Sequence, residues 1–197
     1  MRYYQVNLLR DPNHPDINKL LDYVHRRLIP DLGDRGLITY GIFQGLLGMA
    51  TNDLYLVVSS ETAFADQDQL DPGNEFKLAE TINLVPTARP TDHAPRTREG
   101  VYVFRWFDVM NRDIEKIAEL SAEAWLTFEP GYEAEVQCLF AEQDQESEQG
   151  KMLLITWYQG LSVWQDSRKP PVEAMDNFKR RHQLTLRAKP IATSLVT

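Results

Sequence analysis

The sequence predicts an α+β protein built from two tandem copies of a β-α-β-β-α-β unit. Three observations lead there. Tyr4, Val6 and Leu8 alternate along a strand pattern near the start, and Tyr102, Phe104 and Trp106 do the same where the second half begins. Each of these strands runs into a helical pattern opened by an acidic residue and an isoleucine, Asp16-Ile17 and Asp113-Ile114. Val85-Pro86-Thr87-Ala88 and Lys189-Pro190-Ile191-Ala192 occupy corresponding places at the ends of the copies. Self-similarity at one long period reads as duplication.

In the first copy, Tyr3 to Arg10 has the alternation and the aromatic and branched residues of a strand. Asp11 to Pro15 is a turn, and Pro15 suits the first turn of a helix, where its missing N–H is not needed. Ile17, Leu20, Leu21, Val24 and Leu28 follow helical spacing, and Pro30 and Gly33 are expected to stop that helix. Leu37 to Gln44 and Leu54 to Ser59 are the second and third strands, joined by a turn over Gly45 to Thr51. Thr62 to Asn74 is polar, with Asp71-Pro72-Gly73 a tight turn, and supports only a short or degenerate second helix. Ala79 to Pro86 is the fourth strand.

Thr87 to Gly100 holds Pro90, Pro95 and several charges but almost nothing apolar, the composition of a linker. The second copy follows with a strand at Val101 to Phe107. A helical stripe comes next, Ile114, Ile117, Ala118, Ser121, Trp125 and Phe128, closed by Pro130-Gly131. Glu133 to Phe140 and Lys151 to Tyr158 are its second and third strands, with the acidic run Glu142 to Gly150 a solvated hairpin tip between them. Pro170-Pro171 opens a helix expected to turn Val172, Met175 and Phe178 inward, and Leu184 to Val196 is the last strand. The expected units are therefore residues 1–90 and 101–197, with a linker over 91–100. Each has the split βαβ order of a ferredoxin-like unit, an antiparallel sheet with its helices on one face.

The 197 residues suffice for a sizeable core without disulfides, and 43% hydrophobic with 25% charged residues is the balance of a globular domain. A net charge of -8 argues against nucleic acid as a partner, because phosphate recognition needs a basic surface. Cys138 is the only cysteine, so neither an intrachain disulfide nor a cysteine-rich metal site can form, and it reads as a small buried hydrophobe. The chain begins directly in a strand pattern and has no apolar run long enough to span a membrane, so a cytoplasmic monomer or homodimer is expected.

The strands do not alternate cleanly. Met152, Leu154 and Thr156 share one face, and Leu153, Ile155 and Trp157 the other, so both faces are largely apolar. Val103 and Phe107 likewise lie opposite Phe104 and Trp106, which we read as facing the helices. Such a second face must be covered. The other copy's sheet is the nearest cover, which places the two sheets face to face.

Two ferredoxin-like units packed in this way resemble the dimeric α/β barrel superfamily, with the dimer fused into one chain. Within it, the second copy resembles NIPSNAP-type proteins. That resemblance is carried by Ile155-Thr156-Trp157-Tyr158-Gln159-Gly160-Leu161-Ser162-Val163-Trp164 and by Arg180-Arg181-His182-Gln183-Leu184-Thr185-Leu186-Arg187. The topology covers nearly the whole chain, and the NIPSNAP-like residues cover only part of the second copy. The superfamily includes cofactor-independent monooxygenases, haem-handling proteins, isomerases of small lactones and many proteins without known activity. The resemblance therefore implies a fold and a range of small-molecule chemistry, not a reaction.

No nucleotide-binding loop is present, since Gly45-Leu46-Leu47-Gly48 lacks the Lys-Ser/Thr ending, and no H-E-x-x-H motif occurs. We expect neither a metal nor a cofactor. His14, His93 and His182 fall in turn, linker and helix end; His25 flanks the buried stripe of the first helix, where it is a partly exposed surface or packing residue or, less economically, a haem or metal ligand or a base. Taking Tyr4, Val6 and Leu8 as helix-facing sends Gln5, Asn7 and Arg105 into the space between the sheets. Taking Phe43 and Phe140 as helix-facing sends Ile38, Tyr40 and Ile42, and Glu135, Gln137 and Leu139, there as well.

An apolar space with a few polar groups is the composition of a small-molecule pocket. Arg105 would hold a carboxylate or enolate there, and Tyr40, Asn7, Gln137 and Glu135 would orient a polar head. Equally, Arg105 pairs with Glu135 or another acid, and these groups satisfy one another. Trp106 and Trp125 read as core and Trp164 as a surface or interface residue. The sequence thus supports two readings. One is a protein binding a small organic acid or apolar molecule between its sheets, to which the resemblance adds a cofactor-free monooxygenase or isomerase. The other is a non-catalytic interaction module with a filled barrel interior and an apolar patch near Trp164.

Overall fold

A computed structural model describes residues 2–65 and 68–196. The first unit comprises β1 (Tyr3–Arg10), α1 (Asn18–Tyr23), a π-turn (Val24–Leu28), α2 (Ile29–Asp34), β2 (Ile38–Leu47), β3 (Asp53–Ser60) and β4 (Lys77–Arg89). The second comprises β5 (Val101–Met110), α3 (Ile114–Phe128), β6 (Ala134–Glu142), β7 (Gln149–Tyr158), α4 (Leu161–Asp166), α5 (Val172–Gln183) and β8 (Thr185–Leu195). All strand pairs are antiparallel, and the order β1-β3-β2-β8-β5-β7-β6-β4 closes on itself as a barrel. The two units meet where β2 pairs with β8 and β4 with β6, so the sheets are hydrogen-bonded at both seams as well as packed face to face. Closure removes every free sheet edge.

The barrel interior is aromatic. Tyr4, Val6, Tyr40, Phe43, Tyr55, Tyr102, Phe104, Phe140 and Trp157 lie in one buried cluster drawn from both sheets. Tyr55 stacks on Phe104 at 4.9 Å between ring centroids, and Phe43 meets the same ring edge-on at 5.0 Å. Cys138 is fully buried among them. Tyr4, Val6 and Leu8, and equally Phe104 and Trp106, therefore face inward, opposite to the expectation from sequence. The inversion has a physical cause: a strand buried on both faces carries apolar residues at every position, and its alternation no longer says which face is which.

Outside the barrel, α3 and α5 cover the second unit's sheet, and Trp125, 2% exposed, packs there with Phe107, Val109, Ile117 and Leu154. The first unit is covered by α1, the π-turn and α2, whose Leu20, Val24, Leu28 and Leu32 meet Leu9, Leu54 and Leu56. This helical segment passes through Pro30 instead of stopping there. Pro30 sits in the first turn of α2, directly after the wider π-turn, where its missing N–H is tolerated. Gly36, at φ 74°, makes the exit.

No helix occurs among the described residues between β3 and β4, so even a degenerate second helix is wanting there; Asp66 and Gln67 lie outside the description. Phe64, Leu70 and Phe76 of this loop fill the place of a helix in the core, at a spacing no single helical face provides. Within the second unit, α4 begins at Leu161, where the NIPSNAP-like segment runs from the third strand into a Trp-containing helix start. Val172 points outward, and Ala174 takes the buried position on α5. No helix among the described residues is long and apolar enough to cross a membrane.

Candidate functional site

Because the inward and outward faces are exchanged relative to expectation, the candidate residues separate. Asn7 and Gln5 lie on the helix-side face of β1. Asn7 Nδ2 donates to Gln5 Oε1 at 3.1 Å, Gln5 Nε2 donates to Asn83 Oδ1 at 3.0 Å, and Thr81 donates to Asn7 Oδ1 at 2.9 Å. This is a closed structural network beneath the loop after β3, not a ligand-orienting pair in the interior.

Tyr40 does face the interior, fully buried, and burial pushes its phenol pKa well up. Its hydroxyl has no partner among the described residues. Ile42 and Leu139 lie on the helix side. Irregular pairing at Thr39/Gly41 and at Val136/Cys138 shifts the alternation, which places Phe43, Phe140 and Cys138 inside.

Gln137 lies at one mouth of the barrel, where Arg96 Nη1 donates to its Oε1 at 2.8 Å. Arg96 belongs to the segment joining the units, and that segment caps this mouth. Its backbone N–H donates to Tyr40 O at 2.7 Å, its guanidinium lies 5.0 Å from the Tyr40 ring, and His93 Nδ1 shares a 2.7 Å hydrogen bond with the Tyr4 hydroxyl. Nearby, Glu135 is exposed and pairs with Arg98 at 3.3 Å, so it is not the partner of Arg105. Arg98 itself lies over Trp157, which donates from Nε1 to Glu99 O. His25 is exposed on the π-turn.

Arg105 lies on the helix side of β5, between Leu154 and Pro190 in the sheet. It opens into a cavity of about 210 Å³ between the sheet and the helices of the second unit. The sheet contributes Arg105, Val136, Leu154, Thr156 and Tyr158 to the wall. Facing them are Trp125 and Phe128 of α3 and Phe178 and Arg181 of α5, with Ser167 and Arg168 from the α4–α5 connection at the rim.

Arg181 is 7% exposed. Its Nη1 donates to Ser121 Oγ at 3.3 Å, and its guanidinium lies 4.9 Å from the Phe178 ring and 5.4 Å from that of Phe107. Neither Arg105 nor Arg181 has an acidic partner among the described residues. Burial, then the neighbouring Arg105 charge, pushes the Arg181 pKa down to about 9; burial lowers that of Arg105 too, with Arg168 adding to the repulsion.

Arg181 escaped the sequence reading, which took Lys179-Arg180-Arg181 as a solvated helix end. A signal was present: Ala174, Phe178 and Arg181 fall at i, i+4 and i+7, the spacing of one helical face.

No protein family and no curated protein matches the chain. Solved structures do. A chlorite dismutase variant from Candidatus Nitrospira defluvii superposes with a TM-score of 0.64 at 9% identity, covering 100% of this chain and 91% of that one. A haem-binding protein from Thermus thermophilus gives 0.56 at 11% identity, covering 100% and 91%. A ferredoxin-fold protein from Listeria monocytogenes, related to antibiotic biosynthesis monooxygenases, gives 0.52 at 14% identity, covering 100% and 96%.

The fold is the dimeric α/β barrel, completed within one chain. At these identities the likeness concerns architecture alone. One of these neighbours is a haem-binding protein, and a haem needs both room and an axial ligand. The cavity's volume is below the roughly 300–1,000 Å³ of ordinary ligand clefts, and Tyr158 is the one lining residue of a type that ligates haem iron, with no histidine, cysteine or methionine beside it. These residues do not fit a haem.

Proposed function

We propose that this protein binds a small organic acid in the helix-covered cavity of its second unit. The observation that carries this reading is Arg105, a guanidinium held in a cavity of about 210 Å³ without an acidic partner. A guanidinium does not shed its charge near neutral pH, so a buried one needs an acid, water or an anionic ligand. The acid is absent among the described residues. The apolar wall of Trp125, Phe128, Val136 and Leu154 offers a surface for a ligand body, and Thr156, Tyr158 and Ser167 offer hydroxyls for its polar end.

The site lies outside the barrel, not between the sheets as the sequence suggested, because aromatic side chains occupy the interior. The NIPSNAP-like segments bear on the same place: Thr156 and Tyr158 come from one and Arg181 from the other. A cofactor-free monooxygenase or isomerase would use such guanidinium groups to stabilise a developing enolate, and this is the enzymatic form of the reading. The test is a thermal-shift screen of wild type and Arg105→Met against small carboxylic acids. We expect stabilisation of wild type and none of the variant; a wild type that no acid stabilises removes the proposal.

The filled interior also supports the second reading, a non-catalytic module. Leu126 on α3 and Val172 on α5 are exposed apolar residues on the outer layer. Self-association weakened by Leu126→Glu in analytical ultracentrifugation, together with an empty acid screen, would favour it.

A further inference from the structure

We infer that the ligand of this cavity carries two negative charges on one short body, a dicarboxylate or a phosphate monoester. The inference rests on the small-acid reading above and deepens it. A single negative charge offsets one guanidinium, and this cavity holds two. Arg105 reaches it from the sheet and Arg181 from α5, with Arg168 at the rim. Arg181 uses one of its donors on Ser121 Oγ at 3.3 Å and has no other protein acceptor within hydrogen-bond distance among the described residues. Arg105 has no protein acceptor among the described residues.

Where a protein keeps a buried arginine for structure, a carboxylate or several carbonyl oxygens usually hold it. Here the remaining contacts of Arg181 are the faces of Phe107 and Phe178. Those faces shield the charge without neutralising it. A monoanion would therefore offset only one of the two cations, the buried Arg181 or the half-buried Arg105, whereas a dianion offsets both.

The size of the cavity limits the rest of the ligand. At about 210 Å³ the cavity is small beside ordinary ligand clefts of roughly 300–1,000 Å³, which favours a compact ligand. The setting adds contrast. In a chain of net charge -8, three arginines converge on one small cavity whose lining contains no acid. That arrangement focuses anions into an otherwise repelling surface.

Calorimetric titration of the whole protein with matched pairs at pH 7.5 tests this: acetate against malonate, propionate against succinate, and methyl phosphate, a dianion at that pH. We expect the dianions to bind wild type at least tenfold more tightly than their monoanionic partners. In Arg105→Met and Arg181→Met the ratio should fall towards one. The ratio is read on wild type, so it does not depend on either variant folding, and melting curves of the unliganded variants check that they do.

Binding of malonate or succinate without methyl phosphate assigns two separate carboxylates. The reverse assigns one doubly charged head. Equal affinity for monoanions and dianions overturns the two-charge inference and leaves the small-acid site standing. Binding by none of the probes overturns both.

Discussion

Arg181 of α5 and Arg105 of β5 face one cavity from its two walls, and the charge of Arg105 lowers the proton affinity of Arg181. Two like charges brought together by folding oppose it. Removing one should then stabilise the empty protein, contrary to the loss expected when a paired arginine is deleted. We expect Arg181→Met to raise the unfolding free energy, on the order of the 1–4 kcal/mol seen when buried ion pairs or triads are replaced by apolar residues. Urea denaturation without ligand measures this. A large destabilisation would point to an acidic partner for Arg181.

The depressed pKa of Arg181 also has a direction in pH. Below about 9 the native state holds the proton, as the unfolded chain does, and this group adds no slope. Between about 9 and the ordinary arginine value, the unfolded chain keeps a proton that the native state releases. Stability from this group therefore rises with pH across that window. Anion binding runs the other way, strongest below about 9 and weakened above it as Arg181 loses its charge while Arg105 keeps its own. Titration of malonate from pH 7 to 10 should show that fall in wild type and a flat profile in Arg181→Met.

Trp125 lies under the same cavity and packs into the helix-side core of the second unit. Arg89 approaches its ring at 5.0 Å. Trp125→Ala should cost about 3–5 kcal/mol, the usual loss for a large buried aromatic. An unchanged melting transition would contradict the packing described.

Inside the barrel, the Tyr40 hydroxyl is buried without a partner among the described residues, and such a group costs about 1–3 kcal/mol. Tyr40→Phe keeps the ring beneath Arg96 and removes only the hydroxyl. Chemical denaturation should show a stability equal to wild type or up to about 1 kcal/mol higher. A loss larger than that would reveal a hydrogen bond to the hydroxyl.

Much of the architecture was legible because local rules and the repeat agree. The β1 and β5 patterns, the α3 stripe from Ile114 to Phe128 and the proline-marked end of each copy announce themselves within a short window. The helix through Pro30 was misjudged because proline was weighed without the π-turn that precedes it. The missing helix before β4 showed only as weak periodicity, and Phe64, Leu70 and Phe76 take its place by loop packing.

The site was legible only in part. Arg105 could be singled out as a lone cation in an apolar strand, but the side of the sheet it occupies could not. Arg181 looked like one more charge at a helix end.

By itself, the sequence determined a duplicated strand-and-helix unit, full βαββαβ in the second copy and with only a weak second-helix signal in the first, the strands with two apolar faces and hence a covered second face. Burial of apolar surface demands as much wherever the pattern repeats. The tertiary structure alone decided which face is inside. Tyr4 and Phe104 enter a closed interior while Asn7 and Arg105 turn to the helices, and only the partner layers distinguish these outcomes. It also decided that Arg105 meets Arg181 and not Glu135. That pairing joins residues far apart in the chain, and it follows from how α5 lies across the sheet, which no local pattern encodes.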